Sequence, residues 1–425
     1  MNVTQPLLRF TDCTPSRQAH DGESFKQEML DFRAFGKRTR VVELAFSARR
    51  KIPVFVNEFW TSKQRAAHSI HEISYRACFK PQLARFFIER LSLPGEIVYD
   101  PFMGRGTTLI EAALMGRIPF GCDISPLSMI LTAPRLAPPR LAEIQRRLES
   151  ISMVNGAEAR EDLLVFYHPD TLKEICGLRQ YLLHRRDQNK LDDLDRWIWM
   201  VAINRLTGHS PGFFSVYTLP PNQAVSLESQ KKINEKRRQI PPRRKVAELI
   251  IRKSAQLLSE LTEENRANLS EVSGRSLLLT GSCDATPQIS SNSISLVVTS
   301  PPFLDIVDYA QDNWLRAWFF GIDLVDAPIW ILRNVEEWQR RMTMALTEIT
   351  RVTKVGGWVA FEVGEVRNGS VKLEEFAVRA GLDAGLEPRL VVINEQNFTK
   401  TANCWGVDNL TKGTNTNRIV LFQKI

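Results

Sequence analysis

Between residues 96 and 123 the chain reads EIVYDPFMGRGTTLIEAALMGRIPFGCD, an order that few architectures accept. A short β-rich run closes on Asp100. A loop carrying Gly104 and Gly106 then opens an apolar segment with helical character, which Gly116 stops. A second apolar run closes on Asp123. Strand, glycine turn, helix, strand and acid make one βαβ unit of a doubly wound sheet. Ligands of such sheets sit outside the carboxyl ends of the strands, where these loops fall.

The rest of the chain extends the pattern. PQLARFFIERLSL, from Pro81, has apolar residues at helical spacing, and Pro94-Gly95 ends it. Strand-like runs return at SLLLTGSCDA and SISLVVTSPPF, and helical ones at WLRAWFFG, VEEWQRRMTMALTEITRV and LEEFAVRAGLDAGL. KVGGWVAFEVGEV reads as a turn and a strand. LVVINEQNF and RIVLFQKI, with no helix between them, predict an antiparallel pair at the sheet edge. A length of 425 residues leaves room for a second unit beside the catalytic core. The expected division is an irregular N-terminal extension with one or two strands (1–70), a sheet domain in two parts (71–140 and 276–425), and a largely helical, strongly charged insertion (141–275).

Composition excludes several classes. With 43% hydrophobic and 24% charged residues the chain is a folding one, not a disordered one. No apolar run is long enough to cross a bilayer, and the first residues lack the pattern of a signal peptide, so a cytoplasmic protein is expected. The six cysteines are scattered and the six histidines sparse, so no metal site is expected. A net charge of +8 makes a polyanion a plausible partner.

Two constellations carry chemistry. In DPFMGRGTT, glycines 104 and 106 let the backbone approach a ligand, and the helix start behind them can receive a carboxylate. A tight strand–helix turn without a ligand has the same appearance. Asp123 stands where an acid can accept both ribose hydroxyls of a nucleoside, or cap a helix with Ser125-Pro126 behind it. Asp284, after a third apolar run, is placed to accept from an adenine amino group, or to serve a turn. No GKS or GKT follows the glycines, which disfavours ATP. In TSPPF (299–303), two prolines stop a strand and stiffen the backbone, which would hold the Ser300 side chain, the Pro301 carbonyl and the Phe303 ring in one arrangement. An aromatic amine is a poor nucleophile because its lone pair is delocalised. Two acceptors on its hydrogens would localise that pair, and a stacked ring would hold the base. A strand-end turn packed by an aromatic is the plainer alternative.

These residues carry a resemblance. DPFMGRGTT resembles motif I, TSPPF motif IV and FKPQLARFFIERL motif X of the AdoMet-dependent DNA amino-methyltransferases; RVTKVGG resembles the turn before their fifth strand. The likeness covers roughly residues 70–135 and 275–425. It implies an α/β fold of the class I AdoMet-methyltransferase (Rossmann-like) type, a seven-stranded mixed sheet with a helical insertion. It implies S-adenosyl-L-methionine as cofactor, S-adenosylhomocysteine as product, and no metal. Carried over, Lys80, Pro81, Asp100, Phe102, Gly104, Gly106 and Thr107 would form the AdoMet site, with Asp123 on ribose and Asp284 on adenine. Ser300, Pro301, Pro302 and Phe303 would form the catalytic loop. The serine form of this loop is associated with cytosine N4, whereas adenine-N6 enzymes usually carry aspartate or asparagine there. The final aromatic is more often tyrosine. Motif I, insertion, motif IV resembles the alpha-type order, but the insertion begins directly after the region of Asp123, so that Asp284 follows it, unlike the usual layout. Cytosine C5 chemistry needs a thiolate in a Pro-Cys context, and no Pro-Cys dipeptide exists here.

The resemblance points to a site-specific enzyme on double-stranded DNA in the nucleoid of a bacterial or phage system, with a cognate restriction endonuclease as a possible partner. Adenine N6 and an RNA amine are the rival targets, and a non-catalytic DNA-binding protein with a vestigial pocket is the rival class. KKINEKRRQIPPRRK in the insertion supplies the candidate phosphate contacts Lys231, Lys232, Arg237, Arg238, Arg243 and Arg244, with only Glu235 opposing inside the run. A solvated charged face is the ordinary fate of such a run. Phe213, Phe214 and Tyr217 are expected in the core.

Overall fold

The computed structural model describes residues 21–46, 50–61, 67–75, 78–153, 160–219, 224–302, 304, 309–324, 329–330, 332, 334–366, 371–395 and 416–425. Its strands are β1 (Arg40–Ala45), β2 (Lys51–Asn57), β3 (Ile97–Asp100), β4 (Ile118–Asp123), β5 (Leu277–Thr280), β6 (Ile294–Thr299), β7 (Thr353–Val363), β8 (Glu365–Val366), β9 (Val371–Lys372), β10 (Glu387–Glu395) and β11 (Thr416–Gln423). Nine of them form one sheet in the order β1-β2-β10-β11-β7-β6-β3-β4-β5, and β8 and β9 form a small separate ribbon. From β5 to β7 all pairings are parallel. β11 then runs antiparallel between β7 and β10. The chain winds outward from β3 through β4 to β5, and from β6 to β7 on the other side. The switch point of the topology therefore lies between β3 and β6, where such sheets bind ligands.

Both faces of the sheet are covered, which is why its strands read as continuous apolar runs. Along β6 and β7, Val297, Val359 and Phe361 point into a core with the helices Val335–Val352 and Leu373–Asp383. Leu296, Val298, Trp358 and Ala360 point the other way, against the helices Gly22–Asp31 and Pro81–Leu91. Burying each such side chain contributes about 1.5–3 kcal/mol relative to exposure.

Two expectations are corrected. The one or two strands expected before residue 70 join the main sheet: β2 pairs in parallel with β10 and carries β1 as the edge strand. The sheet thus has nine strands, seven of them the expected set, and the β10–β11 pair lies inside it. The reason is apolarity on both faces of β2. Val54, Phe55 and Val56 are all buried, so the strand needs a neighbour and a covering layer, whereas β1 is mostly exposed. Asn394 locks this addition, accepting from the amides of Phe59 and Trp60 and donating to the Trp60 carbonyl.

The insertion is helical as expected, with helices Leu141–Ser150, Pro169–Asp187, Asp193–Ile203, Leu227–Arg237 and Val246–Leu258. Its core holds the fully buried Trp197 and Trp199 and is continuous with Leu127 and Leu131 of the helix Leu127–Leu136 and with Phe319 of the helix Trp314–Phe320. The helix Glu263–Ser273 packs Leu269 and Val272 on Ile110 and Ala113 of the helix Thr107–Leu114, so it serves as the crossover into β5. Phe213 and Phe214 are buried, whereas Tyr217 is half-buried. Among the described residues no helix is long and apolar enough to cross a membrane.

Candidate active site

The glycine turn hangs from the ends of two strands. The Phe102 amide donates to Asp100 Oδ1 at 3.1 Å, the Met103 amide to the Cys122 carbonyl at 3.0 Å, and the Gly104 amide to Asp123 Oδ2 at 2.8 Å. Gly104 and Gly106 both have positive φ, 48° and 74°. At Gly106 a second constraint applies: a Cβ there would lie 2.4 Å from Thr132 Oγ1 and 2.5 Å from Thr132 Cγ2. At Gly104 the nearest atom to such a Cβ is 3.7 Å away, on the Tyr75 ring. Gly106 is needed for packing against the helix Leu127–Leu136, and Gly104 for conformation and an open wall.

Asp123 ties the turn to the next strand. Its Oδ1 accepts the Ser125 amide at 2.8 Å, and its own carbonyl accepts the Gly281 amide at 2.9 Å, joining the ends of β4 and β5. The N-cap of the following helix is Pro126, so Asp123 is not its cap. Burial pushes its carboxyl up, against the amides of Ser125 and Gly104. Each oxygen retains acceptor capacity.

The double-proline loop meets this turn at the switch point. Val98 and Tyr99 pair with Leu296 and Val297. The Thr299 hydroxyl donates to Asp100 Oδ1 at 2.6 Å, and the Thr108 hydroxyl to the Val298 carbonyl at 2.9 Å. Asp100 is therefore a buried clamp between the two loops; burial raises its carboxyl to about 7, opposed by the bonds from Thr299 and Phe102. On the far side, the indole of the buried Trp338 donates to the Pro302 carbonyl at 2.9 Å.

A cavity of about 530 Å³ opens between the loops. Of the residues singled out by sequence, Phe102, Gly104, Thr107, Asp123, Asp284, Ser300 and Pro302 line it. Asp284 also accepts from the Ser282 hydroxyl. Asp100, Gly106 and Pro301 are buried and not among the lining residues. Lys80 and Pro81 begin the helix Pro81–Leu91 and do not line it either; Tyr75, Cys78 and Phe79 do so from the same segment. Phe303 lies outside the described residues.

Some lining residues had no signal in the sequence. Trp330 faces Phe102 edge-on at 6.2 Å, and the Arg341 guanidinium lies 5.4 Å from the Trp330 ring. They come from a stretch without motif character and from one face of a helix. Glu362, behind Ser300, is an acid inside the apolar run WVAFEV and belongs to no motif. Among the described residues no cluster of three or more His, Cys, Asp or Glu could hold a metal ion.

In the insertion, Lys231, Lys232, Arg237, Arg238 and Arg243 are exposed and Arg244 is half-buried. The run is less one-sided than its sequence reads. Lys232 pairs with Glu228 at 2.7 Å, Arg243 with Asp170 at 3.5 Å and Lys245 with Glu248 at 2.6 Å, acids from before or after the run. Arg237 stacks 3.7 Å over the Tyr217 ring.

Comparison with known proteins adds to this geometry. Residues 20–129 match the N6/N4 methyltransferase family model, described as DNA methylase. The chain is 24% identical to the type II methyltransferase M.BsoBI of Geobacillus stearothermophilus, over 60% of this chain and 53% of that protein. It is 40% identical to M.MjaII of Methanocaldococcus jannaschii over 18% of this chain and 14% of that one, and 31% identical to M.MvaI of Kocuria varians over 27% and 24%. The chain thus spans about half the length of the first of these relatives and less of the other two. Among solved structures, TrmN from Thermus thermophilus aligns at 12% identity with 84% of this chain and 52% of that chain, at a TM-score of 0.33.

Proposed function

We propose that this chain, a relative of the AdoMet-dependent DNA amino-methyltransferases, transfers a methyl group to cytosine N4 within a specific sequence of double-stranded DNA, as part of a restriction–modification system. The observation that carries this reading is the position of Ser300. It lines the same cavity as Gly104 and Asp123, its loop clamped to theirs through Asp100 and Thr299.

The cavity fits AdoMet. Its volume lies within the range of small-molecule sites. An acid with acceptor capacity stands at the end of β4, a second at Asp284 beyond β5, and Gly104 leaves the wall open on its Cβ side. Asp123 would hold the ribose, Asp284 the adenine, and the turn from Phe102 to Thr107 the remainder. AdoMet, when bound, supplies an electrophilic methyl group. The chain supplies orientation. Ser300 Oγ accepts one hydrogen of the cytosine amine, and the carbonyl of Pro301, a residue buried behind the cavity lining, is the proposed acceptor of the other; holding both hydrogens pyramidalises the nitrogen and localises its lone pair. The base reaches them by leaving the duplex, and Phe303 would stack on it. Trp338 holds the loop from behind through the Pro302 carbonyl, so the acceptors are preorganised. Serine here, in place of aspartate or asparagine, is what favours cytosine over adenine.

Mass spectrometry of nucleosides from plasmid DNA methylated by the protein tests the reading. N4-methylcytosine is expected, and N6-methyladenine as the product would overturn the base assignment.

The insertion is the proposed reader of the duplex. Replacing both Lys231 and Arg238 by Gln is expected to lower the slope of log affinity against log salt by about 2, roughly one per lost phosphate contact. Lys232 and Arg243, already neutralised by Glu228 and Asp170, should matter less. Fluorescence anisotropy with a labelled duplex measures the slope; an unchanged slope would place the DNA elsewhere.

A further inference from the structure

From Trp358 to Val363, β7 is apolar on both faces except at Glu362, which is 5% exposed. A carboxyl there has a cost unless it is partnered. It has two partners. The Asn417 amide, from β11, donates to Glu362 Oε1 at 2.5 Å, and the Ser300 side chain lies close enough to the same carboxyl to pull its pKa down as a hydrogen-bond donor. The register produces the contact: Thr299 pairs with Phe361, so the next residues, Ser300 and Glu362, emerge side by side at the ends of parallel strands.

We propose that Glu362 is a positioning residue for the reaction, holding the Ser300 hydroxyl as a donor so that the serine lone pairs are left to accept a hydrogen of the base amine. This rests on the reading of Ser300 as that acceptor. Asn417 fixes the carboxylate in turn, so Asn417, Glu362 and Ser300 form one chain of hydrogen bonds that ends at the cavity. The ionised carboxylate, one bond behind the serine, also opposes the positive charge that grows on the amine as it gains the methyl group.

Glu362 has two states, and only one suits the reaction. As a carboxylate it accepts from Ser300. Protonated, with Asn417 keeping Oε1 an acceptor, it carries its proton on Oε2 and donates to the serine. That bond occupies a serine lone pair and turns the hydroxyl hydrogen toward the amine. Burial raises the carboxyl to about 7, against the bonds from Asn417 and Ser300. Among the described residues no charged side chain from the flanking strands or helices adds to these effects. Arg418, next along β11, is paired with Glu374. Turnover should therefore rise with pH through the neutral range.

Glu362→Gln mimics the protonated state at every pH, because its carbonyl meets Asn417 and its amide nitrogen meets Ser300. The experiment is kcat and KM for duplex DNA from pH 6 to 8.5, for the unaltered protein, Glu362→Gln and Ser300→Ala, with S-adenosylhomocysteine affinity by calorimetry on each. Expected for Glu362→Gln is a kcat lower by about 10–100-fold at pH 8, the scale for loss of an outer partner of a functional group. Because a carboxyl at about 7 is still about one-tenth ionised at pH 6, the gap between the two curves should narrow by about tenfold from pH 8 to pH 6, with KM and S-adenosylhomocysteine affinity unchanged. A Glu362→Gln profile that follows the unaltered protein would overturn the inference. So would a kcat loss that runs parallel to loss of S-adenosylhomocysteine binding, which marks a structural role. If Ser300→Ala keeps its kcat, the reading of Ser300 fails and the inference with it; if Ser300→Ala falls and Glu362→Gln does not, only the inference fails.

Discussion

Ser300→Ala is expected to bind S-adenosylhomocysteine as tightly as the unaltered protein and to turn over about 10²–10³ times more slowly, the loss of one preorganised hydrogen-bonding group worth roughly 3–4 kcal/mol in the transition state. Binding is spared because the donors and acceptors of the glycine turn come from Asp100, Cys122 and Asp123, and none comes from Ser300. Folding is spared because Ser300 is half-buried and β6 is held by its register with β3 and β7. Turnover suffers because the amine keeps a lone pair delocalised into the base unless its hydrogens are held out of plane. Single-turnover rates with labelled methyl donor, beside calorimetry, separate the two. Near-normal turnover in the variant would remove Ser300 from the reaction.

Gly106→Ala and Gly104→Ala, one residue apart in the same turn, should fail in different ways. At Gly106 the left-handed φ costs about 1–2 kcal/mol for an L-residue, and overpacking adds roughly 1–3 kcal/mol. Thr132 cannot step aside. Both its γ atoms lie within 2.5 Å of the new Cβ, its Cβ is only 3.0 Å away, and it is fully buried in a helix. A total on the order of 2–5 kcal/mol predicts a fall in Tm of roughly 2–6 °C for a chain of 425 residues. At Gly104 the same backbone penalty applies but no atom is closer than 3.7 Å. That variant should melt within a few degrees of the parent and lose affinity for S-adenosylhomocysteine, since its new methyl group stands in the cavity wall. Thermal unfolding and calorimetry on both check this; equal losses of stability would show that Thr132 does not set the requirement at Gly106.

Much of the site was legible because it is made of local patterns. A glycine turn between two short apolar runs, with an acid closing the second, needs only residues 96–123 to be recognised, and the turn that forms uses Asp100, Gly104, Gly106 and Asp123 as those patterns imply. TSPPF was legible for the same reason: consecutive prolines end a strand wherever they occur. Other features were invisible because their causes are distant in the chain. β2 offers no reason to seek β10 until both faces of the sheet are known to need covering. The basic run reads as opposed by Glu235 alone because Asp170 lies far before it and meets Arg243 only in the fold. Trp330 and Arg341 reach the cavity through packing, with no sequence pattern to announce them.

By itself the sequence determined which residue types are available: a serine and two consecutive prolines at 300–302, a glycine turn between two strands, the fold class that presents both at strand ends, and a basic helical insertion. These follow from residue type and short-range backbone preference. Tertiary structure alone decided that Thr299 and Asp100, 199 positions apart, share a hydrogen bond, and that Glu362 stands behind Ser300. Strand order and register are settled by which apolar faces can be buried together, a property of the whole sheet that no single segment contains.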